Sequence, residues 1–298
     1  MRFYNYIDSI YEGTVFRPPS EAYSLILQAT IGCKHNKCTF CGTYREKDFR
    51  IKTLEQIKKD VEVVYPYYKD IERVFLADGN ALTIPTKDLL KIVKLMYDTF
   101  YKLERVGTYA CPSDILKKSI PELKQLKSAG LGIIYIGLES GSDKILKHVR
   151  KGALSKHMIE AARKVKEAGI LLSVIMILGL GGKTDSEEHA RESGRVLSAM
   201  DPNYIGALTL MVVKGTEVYD EVQAGKRGLL GPREVFAELK NLIQNINVTN
   251  AVFRANHASN YIPIGGTLPR DKEKIIKKLD KILASDEISF KPEYLRAL

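Results

Sequence analysis

An α/β fold built on a parallel sheet is predicted by three observations. Apolar, β-branched runs recur at 24–30, 73–78, 105–110, 132–138, 171–178 and 204–213. Runs that are apolar on both faces are the pattern of strands buried between helices. Between them, apolar residues repeat at helical spacing over 53–64, 86–100, 121–129, 142–149, 155–168 and 185–200. Punctuation falls where this alternation needs it. Thr53 and Gln56 have capping-box spacing, and Gly130 and Gly169 stop helices just before strands. Six successive βα units satisfy either a doubly wound sheet or a partial barrel.

The flanks follow from the same signals. Residues 1–22 read as a leader packed on the core, with Pro18-Pro19 setting an extended turn before the first strand. Residues 23–230 form the core. Residues 231–298 form a C-terminal helical extension, with helices at 231–246 and 271–285 on either side of an irregular polar segment. The second of these is amphipathic, with Ile275, Ile276, Leu279 and Ile282 inward and lysines outward.

Composition narrows the class. The chain has 298 residues, 45% hydrophobic and 28% charged, which is ordinary for a globular protein. The apolar run 170–180 is too short to span a bilayer, and residues 1–11 lack a signal-peptide core. Four cysteines, three of them clustered, are no disulfide framework and suit a reducing compartment. A cytoplasmic protein with no membrane partner is expected. The net charge of +10 leaves nucleic acid or anionic metabolites as candidate partners, with lysine-coated helix faces as the preferred explanation.

The chemistry-bearing feature follows the first strand. Cys33, Cys38 and Cys41 are spaced C-x4-C-x2-C. Strand C-terminal ends are where parallel α/β proteins gather their active sites. Three soft thiolates on a short loop suit an iron–sulfur cluster, and a four-iron cubane would keep one iron open. A zinc site completed by His35 is the competing assignment, although paired C-x2-C knuckles are missing. Cys111 follows the third strand and is expected to be a buried structural thiol.

This loop resembles that of the radical S-adenosylmethionine (SAM) enzymes, whose usual spacing is C-x3-C-x2-C. The longer spacing here is similar to a subgroup related to the oxygen-independent coproporphyrinogen oxidase and methylthiotransferase branches. Phe40 fills the family's aromatic place before the last cysteine. The resemblance implies a partial (β/α)6 TIM-like barrel. It implies a [4Fe–4S] cluster held by Cys33, Cys38 and Cys41, with SAM chelating the fourth iron. Reductive cleavage of SAM would give a 5′-deoxyadenosyl radical that takes hydrogen from a small-molecule substrate. A one-electron reductant such as flavodoxin or ferredoxin is implied as partner.

Further motifs carry the likeness along the chain. Asp78-Gly79-Asn80 stands where the family has a Gly-Gly-Glu-like motif facing the SAM amino group; only Gly79 matches, and Asn80 replaces the acid. Glu139 and Ser140, in Gly137-x-Glu139-Ser140-Gly141, resemble the ribose and methionine contacts. Ile177 and Gly179 resemble the G-x-I-x-G-x-x-E adenine region, without its first glycine or its acid. Arg150-Lys151-Gly152 resembles a basic turn near the SAM carboxylate, and a solvated pair explains it equally well. Substrate-facing roles are expected for Tyr109 and for Arg254, Asn256 and His257 in the polar segment. No second cysteine cluster is present for an auxiliary centre, which disfavours sulfur insertion, and no cobalamin domain fits the residual length. The alternatives kept open are an RNA-modifying radical enzyme and a non-catalytic zinc or iron–sulfur module.

Overall fold

A computed structural model describes residues 9–297. Strands β1 (Leu25–Gln28), β2 (Thr30–Ile31), β3 (Arg50–Ile51), β4 (Arg73–Ala77), β5 (Arg105–Ala110), β6 (Leu131–Glu139), β7 (Leu171–Leu178), β8 (Tyr204–Thr209), β9 (Ala251–Ala255) and β10 (Ile264–Leu268) alternate with helices. Eight of them form one mixed sheet in the order β1-β4-β5-β6-β7-β8-β9-β10, and β2 pairs separately with β3. The six strands read from sequence are all present. The helices are α1 (Leu54–Tyr68), α2 (Thr86–Thr99), α3 (Pro112–Lys117), α4 (Ile120–Ala129), α5 (Asp143–His148), α6 (Ser155–Glu167), α7 (Gly182–Met200), α8 (Glu217–Gln223), α9 (Pro232–Asn245) and α10 (Lys272–Ala284). Two compact units interleave along the chain. The first takes the chain up to Asn36, Thr43–Ile136 and Arg163–Leu172; the second takes Lys37–Gly42, Gly137–Ala162 and Ser173 onward.

In the first unit β1, β4 and β5 pair in parallel, with Leu27 opposite Leu76 and Phe75 opposite Gly107. The predicted capping box is made: the Thr53 amide donates to Gln56 Oε1 at 2.9 Å and the Gln56 amide to Thr53 Oγ1 at 3.2 Å. Helices α1, α2 and α4 bury Ile57, Val61, Leu89, Ile92, Met96, Leu123 and Leu126. On one sheet face Phe75, Tyr109 and Tyr135 meet edge to face, with centroids 4.8–6.1 Å apart. Gly107 makes room for them, since a Cβ there would lie 3.2 Å from the Phe75 ring.

The described part of the leader packs on β1. Tyr11 donates to the Ile26 carbonyl at 2.9 Å, and the Glu12 amide donates to Gln28 Oε1 at 2.8 Å. The leader's first eight residues lie outside the described ones. Pro18 is extended, as its sequence requires, and leads into a single 3₁₀ turn that buries Glu21 completely. Its carboxylate accepts from Arg105 at 2.7 Å, from the Tyr135 hydroxyl at 2.5 Å and from Ser24. Ser20 lies 2.9 Å from the Tyr135 oxygen, and because Tyr135 donates to Glu21 the serine is the donor there. Burial, then the Glu21 charge, pushes the Tyr135 hydroxyl pKa well up.

In the second unit β7 and β8 pair in parallel, Val174 opposite Ile205. Strand β9 adds in parallel to β8, Ile205 opposite Phe253, and β10 returns antiparallel, Phe253 opposite Gly266. Helices α9 and α10 are present where the sequence places them, and the segment between them, expected to be irregular, contains two strands. These strands are short, one carries Arg254 and the other Gly265-Gly266, so neither shows the buried β-branched pattern. Predicted strand 204–213 ends at Thr209. Helix α10 buries Ile275, Leu279 and Ile282 as its spacing predicts. Among the described residues no helix is long and apolar enough to cross a membrane.

Two outcomes follow from this packing. Glu21→Ala leaves the Arg105 guanidinium without its buried partner and should cost roughly 3 kcal/mol, read from urea unfolding. Glu122 caps α4: its carboxyl pKa is held down to about 2 by the Ser119 amide, then by the Thr86 and Ser119 hydroxyls. A lowered carboxyl pKa gives stability that is complete above the unfolded value and fades as the folded value is approached from above. The urea midpoint of Glu122→Gln should thus trail wild type at neutral pH, and the gap should narrow as pH falls from about 4.5 towards 2.

Candidate functional site

In the first unit the residues around Cys33 are held by the loop after β4. The Gly32 amide donates to Asp78 Oδ2 at 3.1 Å, and the Lys34 amide donates to Asn80 Oδ1 at 3.0 Å. Between these two bonds, Gly79 presses directly on the cysteine. A Cβ at Gly79 would lie 2.6 Å from Cys33 Cβ and 2.7 Å from its Cα. Asp78 is fully buried, and its Oδ2 also takes Lys47 at 2.8 Å and Gln28 at 3.2 Å. Lys47 reaches on to the Thr14 carbonyl at 2.6 Å. Asn80 donates to Asp114 Oδ2 at 2.9 Å, and that same oxygen accepts the Cys111 amide at 2.9 Å. The β2–β3 ribbon, Thr30 opposite Ile51, ties the chain before Cys33 to the chain past the loop.

The side chains of Asp78 and Asn80 are thus occupied in gripping the cysteine loop. The sequence assigned both to a cofactor. Their backbone carbonyls, with Gly79 and the unpartnered Asp78 Oδ1, are what remain for that role. Cys111 is half-exposed, not buried, at the N-terminus of α3. Tyr109 is half-buried in its aromatic trio.

In the second unit Cys38 and Cys41 flank a turn closed by the Cys41 amide on the Cys38 carbonyl at 3.2 Å. Thr39 anchors that turn: its amide donates to Val149 at 3.0 Å, and its carbonyl accepts from Val218 at 3.1 Å. Phe40 packs against Ile145, Val149, Leu180, Leu210 and Val218, so its aromatic side chain serves as an apolar anchor.

Glu139 ends β6 in the left-handed region at φ +62°, a conformation that costs a non-glycine residue about 1 kcal/mol or more. Its nearly buried carboxylate pairs with Lys151 at 2.8 Å. Gly137 leaves the slot for this pair, because a Cβ there would fall 2.0 Å from Glu139 Oε1. Lys151 belongs to the basic turn seen in the sequence, whereas exposed Arg150 donates to Glu217 at 3.0 Å. Ser140 Oγ lies 2.8 Å from His189 Nδ1, and His189 Nε2 lies 3.0 Å from the Ile177 carbonyl. A carbonyl only accepts, so Nε2 carries the proton and Nδ1 accepts from Ser140. Glu238 Oε1 then takes the Gly179 amide at 2.6 Å, and its Oε2 takes Ser186 at 2.5 Å. The Glu139–Ser140 and Ile177–Gly179 segments are therefore joined through His189, with Glu238 holding the second. Sequence reasoning missed both residues, because each reads as one polar residue within an amphipathic helix.

The polar segment splits. Arg254 lies exposed on β9, with its guanidinium on the Phe253 and Gly266 carbonyls at 2.8 and 3.2 Å. Asn256 is exposed. His257 Nδ1 accepts from the Ser259 amide at 3.2 Å, and burial, then nearby Lys291, lowers its pKa. The unpredicted members Ser259 and Asn260 are buried and stitch the segment to Thr209 at 3.2 and 2.8 Å. Arg296 donates to the Ser259 and Leu210 carbonyls at 2.6 and 2.7 Å, fastening the C-terminal turn there.

Among the described residues no group of three His, Cys, Asp or Glu side chains is arranged to hold a single metal ion. A cubane takes each thiolate on a different iron, which spreads its donors wider than one ion does. The donor set suits such a cluster: the three loop cysteines are half-exposed and reduced. Buried Thr30 Oγ1 and Asp78 Oδ1 in the first unit, and Thr39 Oγ1 between Cys38 and Cys41 in the second, have no hydrogen-bond partner.

The sequence matches the family described as the radical SAM superfamily over residues 27–193. It is 22% identical over 177 residues to the heme chaperone HemW of Bacillus subtilis, covering 59% of this chain and 46% of that protein. It is 26% identical over 223 residues to the 4′-phospho-dehydrooxetanocin synthase of Priestia megaterium, covering 67% and 29%. The chain spans less than half the length of these two relatives. The fold is similar to that of coproporphyrinogen III oxidase (HemN) from Escherichia coli, with a TM-score of 0.56 at 15% identity over 82% of this chain and 55% of that one.

Gly79→Ala tests the grip on Cys33. The added methyl meets backbone that no rotamer change can move, so the loop must shift, at about 1–3 kcal/mol. The variant should stay folded by circular dichroism yet retain markedly less iron after anaerobic reconstitution and desalting.

Proposed function

The chain belongs to the radical SAM superfamily, and from that premise we propose that it is a radical SAM enzyme acting on a small molecule. The observation that carries this reading is the clamp on Cys33, which fixes a cluster-type cysteine before any ligand arrives. Cys33, Cys38 and Cys41 would hold a [4Fe–4S] cluster. When bound, that cluster supplies the electron that splits a carbon–sulfur bond of SAM, giving methionine and a 5′-deoxyadenosyl radical able to take hydrogen from substrate.

The chain's own residues then do ordinary binding work. Asp78, Gly79 and Asn80 offer backbone carbonyls to an ammonium group, and Asp78 Oδ1 is the one side-chain oxygen of the three left without a partner. The Glu139 carboxylate, neutralised by Lys151, offers acceptors to a diol. Ile177 and Gly179, steadied by His189 and Glu238, offer a flat backbone edge to a purine. We assign Tyr109, Arg254, Asn256 and His257 to the substrate side. With the His257 Nδ1 accepting from the Ser259 amide, its Nε2 is the ring atom left to hydrogen-bond a substrate.

The finer reading is a partial barrel of the C-x4-C-x2-C subgroup, working in the cytoplasm with a flavodoxin- or ferredoxin-like reductant. A small-molecule substrate is favoured over RNA because many lysines pair with neighbouring carboxylates, as in Lys58–Glu55, Lys91–Asp88, Lys94–Asp98 and Lys240–Asp280.

The test is anaerobic reconstitution with iron and sulfide, then SAM and dithionite. Brown protein releasing 5′-deoxyadenosine is the expected result. Alanine at Cys33, Cys38 or Cys41 should abolish both colour and release, whereas Cys111→Ala should keep the cluster spectrum. Colourless protein holding only zinc would overturn the reading.

A further inference from the structure

We propose that Asn80 is a positioning residue for Cys33, and that it is an amide and not an acid because its buried partner is the carboxylate of Asp114. The two side chains are 1% and 4% exposed. Asn80 performs two opposite tasks at once. Its oxygen accepts the Lys34 amide at 3.0 Å, and its nitrogen donates to Asp114 Oδ2 at 2.9 Å. Asp114 in turn accepts the Cys111 amide through that same oxygen at 2.9 Å. A polar bridge thus runs from the residue after Cys33, through the loop after β4, to the start of α3 after β5.

A carboxylate cannot serve here. A carboxylate at position 80 could still accept from Lys34, but it has no proton to give Asp114. It would set two carboxylates at hydrogen-bond distance in a buried place, where both cannot ionise together. They would share a proton, and the folded state would bind one proton more than the unfolded chain. This gives a physical reason for the amide at the position where the resemblance implies an acid. In this chain the position faces a second carboxylate and holds the cysteine loop. The network stands on its own hydrogen bonds; that the group held at Cys33 is an iron–sulfur cluster rests on the function proposed above.

The reciprocal exchange makes the claim testable. In Asn80→Asp combined with Asp114→Asn, donor and acceptor swap places. Position 80 still accepts from Lys34 and position 114 now donates across the contact; because Asn80 and the Cys111 amide share Asp114 Oδ2, the exchange restores the bridge to position 80 and gives up the bond to Cys111. Thermal melting of the metal-free full-length chain and iron and sulfide retention after anaerobic reconstitution are measured for wild type, both single variants and the double variant.

The single Asn80→Asp variant should melt lower than wild type, by an amount that grows as pH rises from about 5 to about 8, because the shared proton is being removed. It should retain iron roughly tenfold less well, the scale of a lost outer contact to a metal-binding loop. The double variant should regain pH independence and iron, and part of the melting temperature, the Cys111 bond being the part not regained. If Asn80→Asp matches wild type in melting and iron, the proposal is wrong. It is equally wrong if the double variant stays as impaired as Asn80→Asp. Should the single variant fail to fold, recovery of soluble double variant decides the matter alone. Wild type that takes up no iron would sink the functional reading, while the metal-free melting series would still judge the bridge.

Discussion

Two backbone amides stand on either side of Cys33, and much of the first unit is arranged to receive them. Asp78 takes one and Asn80 the other, while Gly79 closes the gap against the cysteine's own backbone. Each receiving side chain is buried, so each needs further partners to be tolerated there. Asp78 finds Lys47 and Gln28, and through them the leader at Thr14 and Glu12. Asn80 finds Asp114. A hydrogen bond to a buried carboxylate is worth roughly 1.5–3 kcal/mol, against about 1 for a neutral pair. The charged end at Asp78 is therefore the stronger hold, and the neutral end at Asn80 is the one more readily tuned.

The second unit solves a different problem with similar means. The ends of β6 and β7 must present backbone and carboxyl groups in fixed directions just where the strands run out. His189 and Glu238 supply the missing bonds from helices α7 and α9, and both are nearly or fully buried. Glu238 meets Gly179 where the family pattern expects an acid a few residues downstream. The chain supplies a carboxylate to that glycine from a distant helix.

What was legible in the sequence follows the range of the interaction. Strand periodicity, the Thr53 cap and the glycine stops are local, and six strands and the cap stand as read. The cysteine spacing is local too, and so is Phe40, although its packing on Val149 and Leu180 was not foreseen. Strands β9 and β10 exist because β8 offers an open edge, and nothing in Ala251–Ala255 or Ile264–Leu268 announces that. Asp114, His189 and Glu238 act on partners 34 to 59 residues away. A single sequence shows each only as one polar residue in a helix. The polar segment was recognised for its density of donors and acceptors. Its buried half, Ser259 and Asn260, proved to be the part that fastens it to β8.

The unfavourable features gather at particular places. Glu139 holds a left-handed backbone, and Thr30, Thr39 and Asp78 each keep a buried oxygen without a partner. These lie at the C-terminal ends of β1, β4 and β6 or in the cysteine loop. Among the described residues the one other such atom, Arg105 Nε, sits in the Glu21 network. The middles of the strands, by contrast, are filled with fully buried apolar side chains. Unpaired polar atoms and strained backbone each cost on the order of 1–3 kcal/mol, so a chain optimised only for folding would remove them. In the first unit the unpaired atoms of Thr30 and Asp78 fall beside Cys33; in the second, Thr39 lies between Cys38 and Cys41 and Glu139 holds the strained backbone, so each unit uses part of its core stability to keep polar groups in place.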